Sequence, residues 1–191
     1  MRRRLSGGAL VCLVGAMLTG CANVKLDATG ASPATLEKLR TAGLRPAAVD
    51  AFALAPGLDP ALDRTLPGLR GNTLAPAKGS WARLLRDTLE IELSAAGLYD
   101  PASSSVIAGE LIESSVDAAI GTGTARLAAR FRVTRGGEQV YERALDVEAR
   151  WSSSFVGAIA IPEAINQYGA LYKALVAKLI DDPDFRRALA K

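Results

Sequence analysis

The sequence predicts an α+β domain, an antiparallel-rich sheet with two helices packed on one face in the order β-α-β-β-β-α. Two observations carry this. Residues 122–135 and 139–151 alternate apolar and charged side chains with the period of half-buried strands, around Gly136-Gly137. Residues 81–96 and 162–180 instead carry apolar stripes at i, i+3 and i+4.

The chain opens with Arg2, Arg3 and Arg4, followed by an apolar run from Leu5 to about Leu18 containing Leu10, Val11, Leu13, Val14 and Met17. A charged start, a short apolar core and small residues behind it are the parts of a secretory signal. The run is shorter than the roughly 20 residues that span a bilayer. It ends in Leu18-Thr19-Gly20-Cys21, which resembles the lipobox of bacterial lipoproteins. That resemblance implies cleavage before Cys21, a diacylglyceryl thioether on its sulfur and an acyl chain such as palmitate on the new N-terminus. One acyl chain binds membranes only marginally and reversibly, so two or three are needed for a firm anchor. Residue 22 is Ala rather than Asp, which by the same resemblance favours the outer membrane, with the domain facing the periplasm. The expected organisation is a signal peptide over 1–20, then lipidated Cys21 with a tether and short helix over 21–45, then one α+β domain over 46–191.

Without residues 1–20 the 191-residue chain keeps 171, enough for one core. Three of its 23 Lys and Arg lie in that leader, leaving 20 basic against 20 acidic residues. The mature chain is near neutral, so the basic isoelectric point does not signal nucleic-acid binding. Cys12 lies in the leader and Cys21 would carry the lipid, so no disulfide forms. No histidine occurs anywhere, which excludes His-based triads, His general bases and His-ligated metals.

Residues 22–32 are small and polar and read as a flexible tether. Ser32-Pro33 starts a short helix to Arg40, with Gly43 as its stop. Residues 47–54 form a strand, expected to be central because both faces are apolar. Residues 55–79 hold Pro56, Gly57, Pro60, Pro67, Gly68, Gly71, Pro76 and Gly79 and read as a long loop. Ser80 caps a helix in which Trp81, Leu84, Leu85, Thr88, Leu89 and Leu93 share a face, with Arg83, Arg86, Asp87, Glu90 and Glu92 mostly off it. Gly97 ends that helix.

Three strands follow, over 105–117, 122–135 and 139–151. A two-residue loop at Gly136-Gly137 would pair Arg135 with Glu138, hence Phe131 with Glu142, and put charge in the core. A three-residue loop, 136–138, instead sets Phe131 opposite Arg143, Ala129 opposite Leu145 and Leu127 opposite Val147. It also aligns Arg132 with Glu142 and Arg126 with Glu148. The bulged loop is therefore expected, with Arg143 as a misfit at the sheet rim. After a soft apolar connection over 155–161, Pro162 opens the last long helix, and Asp182-Pro183 starts a final short one.

Candidate chemistry is sparse. Gly121-Thr122-Gly123-Thr124 lacks the following helix and the Lys of a phosphate loop and reads as a turn. Ser103–Ser105 and Ser152–Ser154 lack an activating base. Glu110, Glu113 and Asp117 are acids in or near one strand, without a marked cleft. Arg126, Arg130 and Arg132 face Glu142, Asp146 and Glu148 and read as cross-strand ion pairs. Trp151, Phe155 and Ile159 are candidates for a partner-binding surface; alternatively Phe155 and Ile159 plug the end of the core.

The β-α-β-β-β-α order behind a lipobox resembles small periplasm-facing lipoproteins that assist envelope machines, such as the lipopolysaccharide-assembly lipoprotein and auxiliary lipoproteins of ABC-type lipid transporters. The resemblance implies a non-enzymatic accessory protein that is tethered to the membrane by its lipid and works with an envelope protein partner such as a transport complex. The alternative is a module that binds lipid or an envelope polymer in a groove beside the helices. No cofactor and no metal are expected, and Cys21 is the one residue to which the resemblance gives a role.

Overall fold

A computed structural model describes residues 23–190. The leader and Cys21 lie outside them. Four strands form the main sheet in the order β2 (Ala48–Leu54), β5 (Ser105–Asp117), β6 (Gly121–Arg135), β7 (Glu138–Ser153). Only β2 runs parallel to its neighbour. The helices α2 (Trp81–Ala95) and α3 (Gly157–Asp181) pack against one face. They bury Leu85, Leu89, Tyr168, Leu175 and Leu179 against Ile107, Leu127, Ala129 and Phe131. This is the α+β arrangement that the alternating strands and the two stripes require.

The expected loop over 55–79 is largely ordered. Pro60–Asp63 forms a 3₁₀ turn, and β3 (Leu66–Leu69) and β4 (Asn72–Pro76) form a hairpin. A third strand, β1 (Asn23–Leu26), adds to β4 in parallel, with Asn23 opposite Thr73. Those four residues were expected to belong to a tether. Val24 and Leu26 pack half-buried against the core while Lys25 is exposed, so burial holds the strand in place. The short helix α1 (Pro33–Thr41) follows as expected, but Ser32 makes no side-chain cap; its backbone N–H donates to Glu92 Oε1 at 2.8 Å.

Strand β2 lies at the sheet edge, not at its centre. Its register with β5 slips between Val49 and Phe52, and Phe52 turns inward over Gly109, where a Cβ would sit 2.5 Å from the ring. The exposed edge at the slip is covered by Arg86 of α2, which donates to the carbonyls of Asp50 and Val49 at 3.2 and 3.3 Å. A bulge and an overlying cation are two ways of blunting an edge strand, and they explain why it carries apolar residues on both faces.

The β6–β7 hairpin corrects one expectation and keeps another. Arg135 does pair with Glu138, so the turn has two residues, not three. Yet Phe131 lies opposite Arg143, Ala129 opposite Leu145 and Leu127 opposite Val147, as the core requires. The extra residue sits in the strand: the register shifts between Val133 and Thr134, leaving Val140 as the bulge. Gly136 and Gly137 both have positive φ, 58° and 90°, the geometry of a tight type I′ turn.

Arg143 finds a partner at the rim. Its Nη1 lies 2.8 Å from Asp182 Oδ2 and its Nη2 2.5 Å from Asp184 Oδ2. Asp182 also accepts the Tyr141 hydroxyl at 3.0 Å and caps α4 (Pro183–Leu189) through the Asp184 and Phe185 N–H groups. Helix α3 begins five residues before Pro162 rather than at it. Proline forfeits only the bond to the Ala158 carbonyl there, while the added turn buries Ala160.

Candidate functional site

Two surface features have the chemistry of binding sites, and the residues at the first come from three separate segments. The β3–β4 turn places Arg70 at φ 52°, an uncommon conformation for a side-chain-bearing residue. From there its guanidinium crosses to the end of the main sheet. Nε donates to the Ala118 carbonyl at 2.7 Å, Nη1 to the Phe155 carbonyl at 2.9 Å and Nη2 to the Ser154 carbonyl at 2.5 Å. One cation thus clamps the β5–β6 turn, the β7–α3 junction and the small sheet. Gly68 closes the same join: the Ala118 N–H donates to its carbonyl at 2.8 Å, and a Cβ on it would lie 1.9 Å from the Val116 carbonyl oxygen.

At this end of the molecule the apolar side chains point outward. Phe155 is 79% exposed, Ile120 64%, Ile159 62% and Val156 52%. Phe155 and Ile159 are therefore surface residues, not plugs of the core. Trp151 is instead half-buried against the core and covers Gly123, where a Cβ would meet the indole at 2.2 Å. Gly123 is thus small because an aromatic ring lies on it. Ile120, in the turn between β5 and β6, was not anticipated; a large β-branched side chain in a turn of otherwise small residues, Ala118 and Ala119, was the available signal.

The second feature is a groove of about 270 Å³ between α2, α3 and the segment after β1, lined by Leu26, Leu84, Thr88, Ile165, Gly169 and Tyr172. Gly169 leaves room for Leu26, which a Cβ there would approach to 3.3 Å. Beneath it a chain of hydroxyls runs inward: Tyr172 to Tyr168 at 2.8 Å and Tyr168 to Ser114 at 2.6 Å. Trp81 packs edge-on against Tyr168, with centroids 5.2 Å apart. Burial pushes both phenols well above their usual pKa, so they stay neutral hydrogen-bonding pins.

One turn beyond Thr88 on α2, Glu92 is buried at 1% exposure, although it reads as an off-stripe charge by type. Its spacing from Trp81, Leu85 and Thr88 places it on the stripe. Oε1 accepts the Ser32 N–H, while Oε2 has no hydrogen-bond partner among the described residues. Burial raises its pKa, and the Ser32 N–H and the more distant Lys173 charge only partly oppose this.

The other polar candidates are engaged structurally. Glu110 bridges Arg130 at 3.1 Å and also Arg132, Arg130 reaches Glu142 at 3.5 Å, and Arg126 reaches Glu148 at 3.2 Å. Asp146 pairs with Lys178 instead. The arginine row is therefore neutralised across strands. Ser103 Oγ donates to the Pro46 carbonyl at 2.8 Å, and Ser154 Oγ accepts the Val156 N–H at 3.1 Å. No group of three or more Asp and Glu is placed to hold a metal among the described residues. Among those residues no helix is long and apolar enough to cross a membrane.

No protein-family model matches the chain, and no curated protein matches it in sequence. Solved structures do resemble it. A Xanthomonas campestris protein of the DUF330 family aligns over 82% of this chain and 95% of its own, with a TM-score of 0.55 and 14% identity. A Caulobacter crescentus chain designated a lipoprotein aligns over 81% and 94%, and a minor lipoprotein of Acinetobacter baumannii over 78% and 96%, each with a TM-score of 0.45 and 14% identity. The likeness to the Xanthomonas protein is one of fold: the chain is built on the same α+β plan.

Proposed function

We propose that the chain is a lipoprotein held by acyl chains on Cys21 to the periplasm-facing leaflet of the outer membrane, where it serves as a non-enzymatic accessory protein in envelope transport or assembly. The observation that carries this reading is the start of β1. The first described strand, β1, starts at Asn23, two positions after the lipobox cysteine, so a lipid on Cys21 would hold the folded domain close to the bilayer. The engagement of the serines, Glu110 and the buried tyrosines in structural bonds favours binding over turnover. Mass spectrometry of the native protein tests the anchor; the expected N-terminus is an acylated Cys21, and Cys21→Ala should leave the membrane fraction. An unmodified thiol, or firm attachment of the variant, would overturn the reading. Crosslinking in native membranes tests the accessory role, with a stoichiometric envelope transport or assembly complex as the expected product.

The groove lined by Leu26, Leu84 and Ile165 favours a second reading, a module that takes up an apolar chain of a lipid or envelope polymer. Its mostly apolar lining and open side suit one acyl chain. A stoichiometric lipid extracted from the purified protein, with no protein crosslinked, would select this reading over the first.

A further inference from the structure

We infer that the end of the molecule bearing Ile120, Phe155, Val156 and Ile159 is a bilayer-contacting surface, seated on the leaflet that holds the Cys21 lipid. The inference rests on the anchored-lipoprotein reading and adds an orientation to it.

Strand direction is the first argument. β1 runs parallel to β4, with Asn23 opposite Thr73, and β4 starts directly after the Arg70-Gly71 turn. The chain before Asn23 therefore leaves the fold at the Arg70 end. Arg70 bonds the carbonyl of Phe155 and, on the other side, that of Ala118, two residues from Ile120. The exit point and the apolar side chains share one end of the domain.

Reach is the second argument. Only Ala22 separates Cys21 from Asn23, a span of at most about 7 Å over two residue steps. Helix α3 starts at this end and runs away from it for 25 residues, about 37 Å at 1.5 Å per residue. A lipid attached so close to β1 brings the Arg70 end to the membrane and leaves the Gly136-Gly137 hairpin facing away. The exposed large apolar side chains delivered there are one aromatic and three β-branched aliphatics. Apolar side chains of this kind bury shallowly at the boundary between headgroups and acyl chains.

The test uses the full-length, lipidated protein in phosphatidylethanolamine–phosphatidylglycerol vesicles. Cys12 leaves with the signal and Cys21 is acylated, so one introduced cysteine is the only thiol for an environment-sensitive fluorophore. Labels at Ile120→Cys, Phe155→Cys and Ile159→Cys should be quenched by nitroxide-bearing lipids, and a label at Glu138→Cys should not. Adding Phe155→Ser and Ile159→Ser should reduce quenching at position 120 while the protein still floats with the vesicles. Floating protein whose labels at 155 and 159 are quenched no more than that at 138 would overturn the orientation alone. Protection of the patch only when envelope proteins are added would assign it to a protein partner and also overturn it. Protein that does not float would overturn the anchor and this inference with it.

Discussion

Arg70 Nη1 donates to the carbonyl oxygen of Phe155 at 2.9 Å, joining residues 85 positions apart. The bond sits in a cluster of four from one guanidinium, whose Nη2 also reaches Ser153 Oγ at 3.2 Å. Arg70→Gly isolates the side chain's contribution, because glycine accepts the φ of 52° without strain. Removing a charged donor from several carbonyls should cost about 1–3 kcal/mol. Hydrogen exchange should accelerate over 118–121 and 153–158 first, and denaturant melts should show a loss of that size. Unchanged exchange in both segments would mean that the clamp is ornamental.

Asp182 ties the far end of the sheet to the helices. Burial pushes its pKa up, but the Asp184 N–H, the Tyr141 hydroxyl, the Phe185 N–H and the Arg143 charge together hold it below the usual carboxylate value. A depressed carboxylate contributes stability above its unfolded pKa and loses it as pH falls through the folded value. Stability should therefore drop in acid below about pH 4. Asp182→Asn should weaken that acid dependence and cost about 1–2 kcal/mol at pH 7, a modest figure because Arg143 is half-exposed. Equal acid limbs in the two proteins would contradict this assignment.

Glu92 works in the opposite sense. Its raised pKa means that the native state holds a proton where the unfolded chain has released it, so this group's contribution falls as pH rises from the unfolded to the folded value. Glu92→Gln keeps an acceptor for the Ser32 N–H and removes the buried charge. It should raise the melting temperature at pH 7 and have little effect near pH 4. Glu92→Ala abandons the Ser32 donor and should cost about 1–3 kcal/mol. A Gln variant less stable than the parent at pH 7 would show that the carboxylate charge has a partner.

Close approach explains two glycines. A Cβ on Gly68 would meet a backbone oxygen at 1.9 Å, and its φ of 107° disfavours any side chain. A Cβ on Gly123 would meet only the Trp151 ring, which is half-buried and able to turn. Gly68→Ala should therefore destabilise more, by about 3 kcal/mol against about 1–2 kcal/mol for Gly123→Ala. Thermal melts of the two variants check the order.

What the sequence revealed depended on the range of the interaction. Alternation fixed which β6 and β7 residues face the core, because a one-residue slip would bury charge. It did not fix where the extra residue sits: a third loop residue and a bulge at Val140 give the same pairing beyond Val133. Gly136-Gly137 alone favours the tight turn, and that local signal was outweighed by the pattern. β1 is only four residues long and pairs with a strand some 50 positions away, so its brief alternation is too short a local signal to mark it. Glu92 was legible by spacing and hidden by its charge. Phe155 and Ile159 were legible as apolar residues outside the stripe, whereas their company with Ile120 follows from the Arg70 clamp, which composition does not announce.

Gly169 separates the two functional readings. It lies inside α3, where replacing glycine by leucine improves helix propensity by up to about 0.8 kcal/mol. The new side chain would enter the groove beside Leu26, whose flexible end lies 3.3 Å from the Cβ position and has only to shift slightly. Gly169→Leu should thus fold at least as well as the parent while filling the space a bound acyl chain would need. If the groove holds lipid, the extractable lipid should fall sharply in this variant, with membrane attachment through Cys21 unaffected. If the protein acts through partners at its surface, crosslinked complexes should persist unchanged. Undiminished lipid in a well-folded Gly169→Leu protein would remove the groove from consideration and leave the accessory role as the working account.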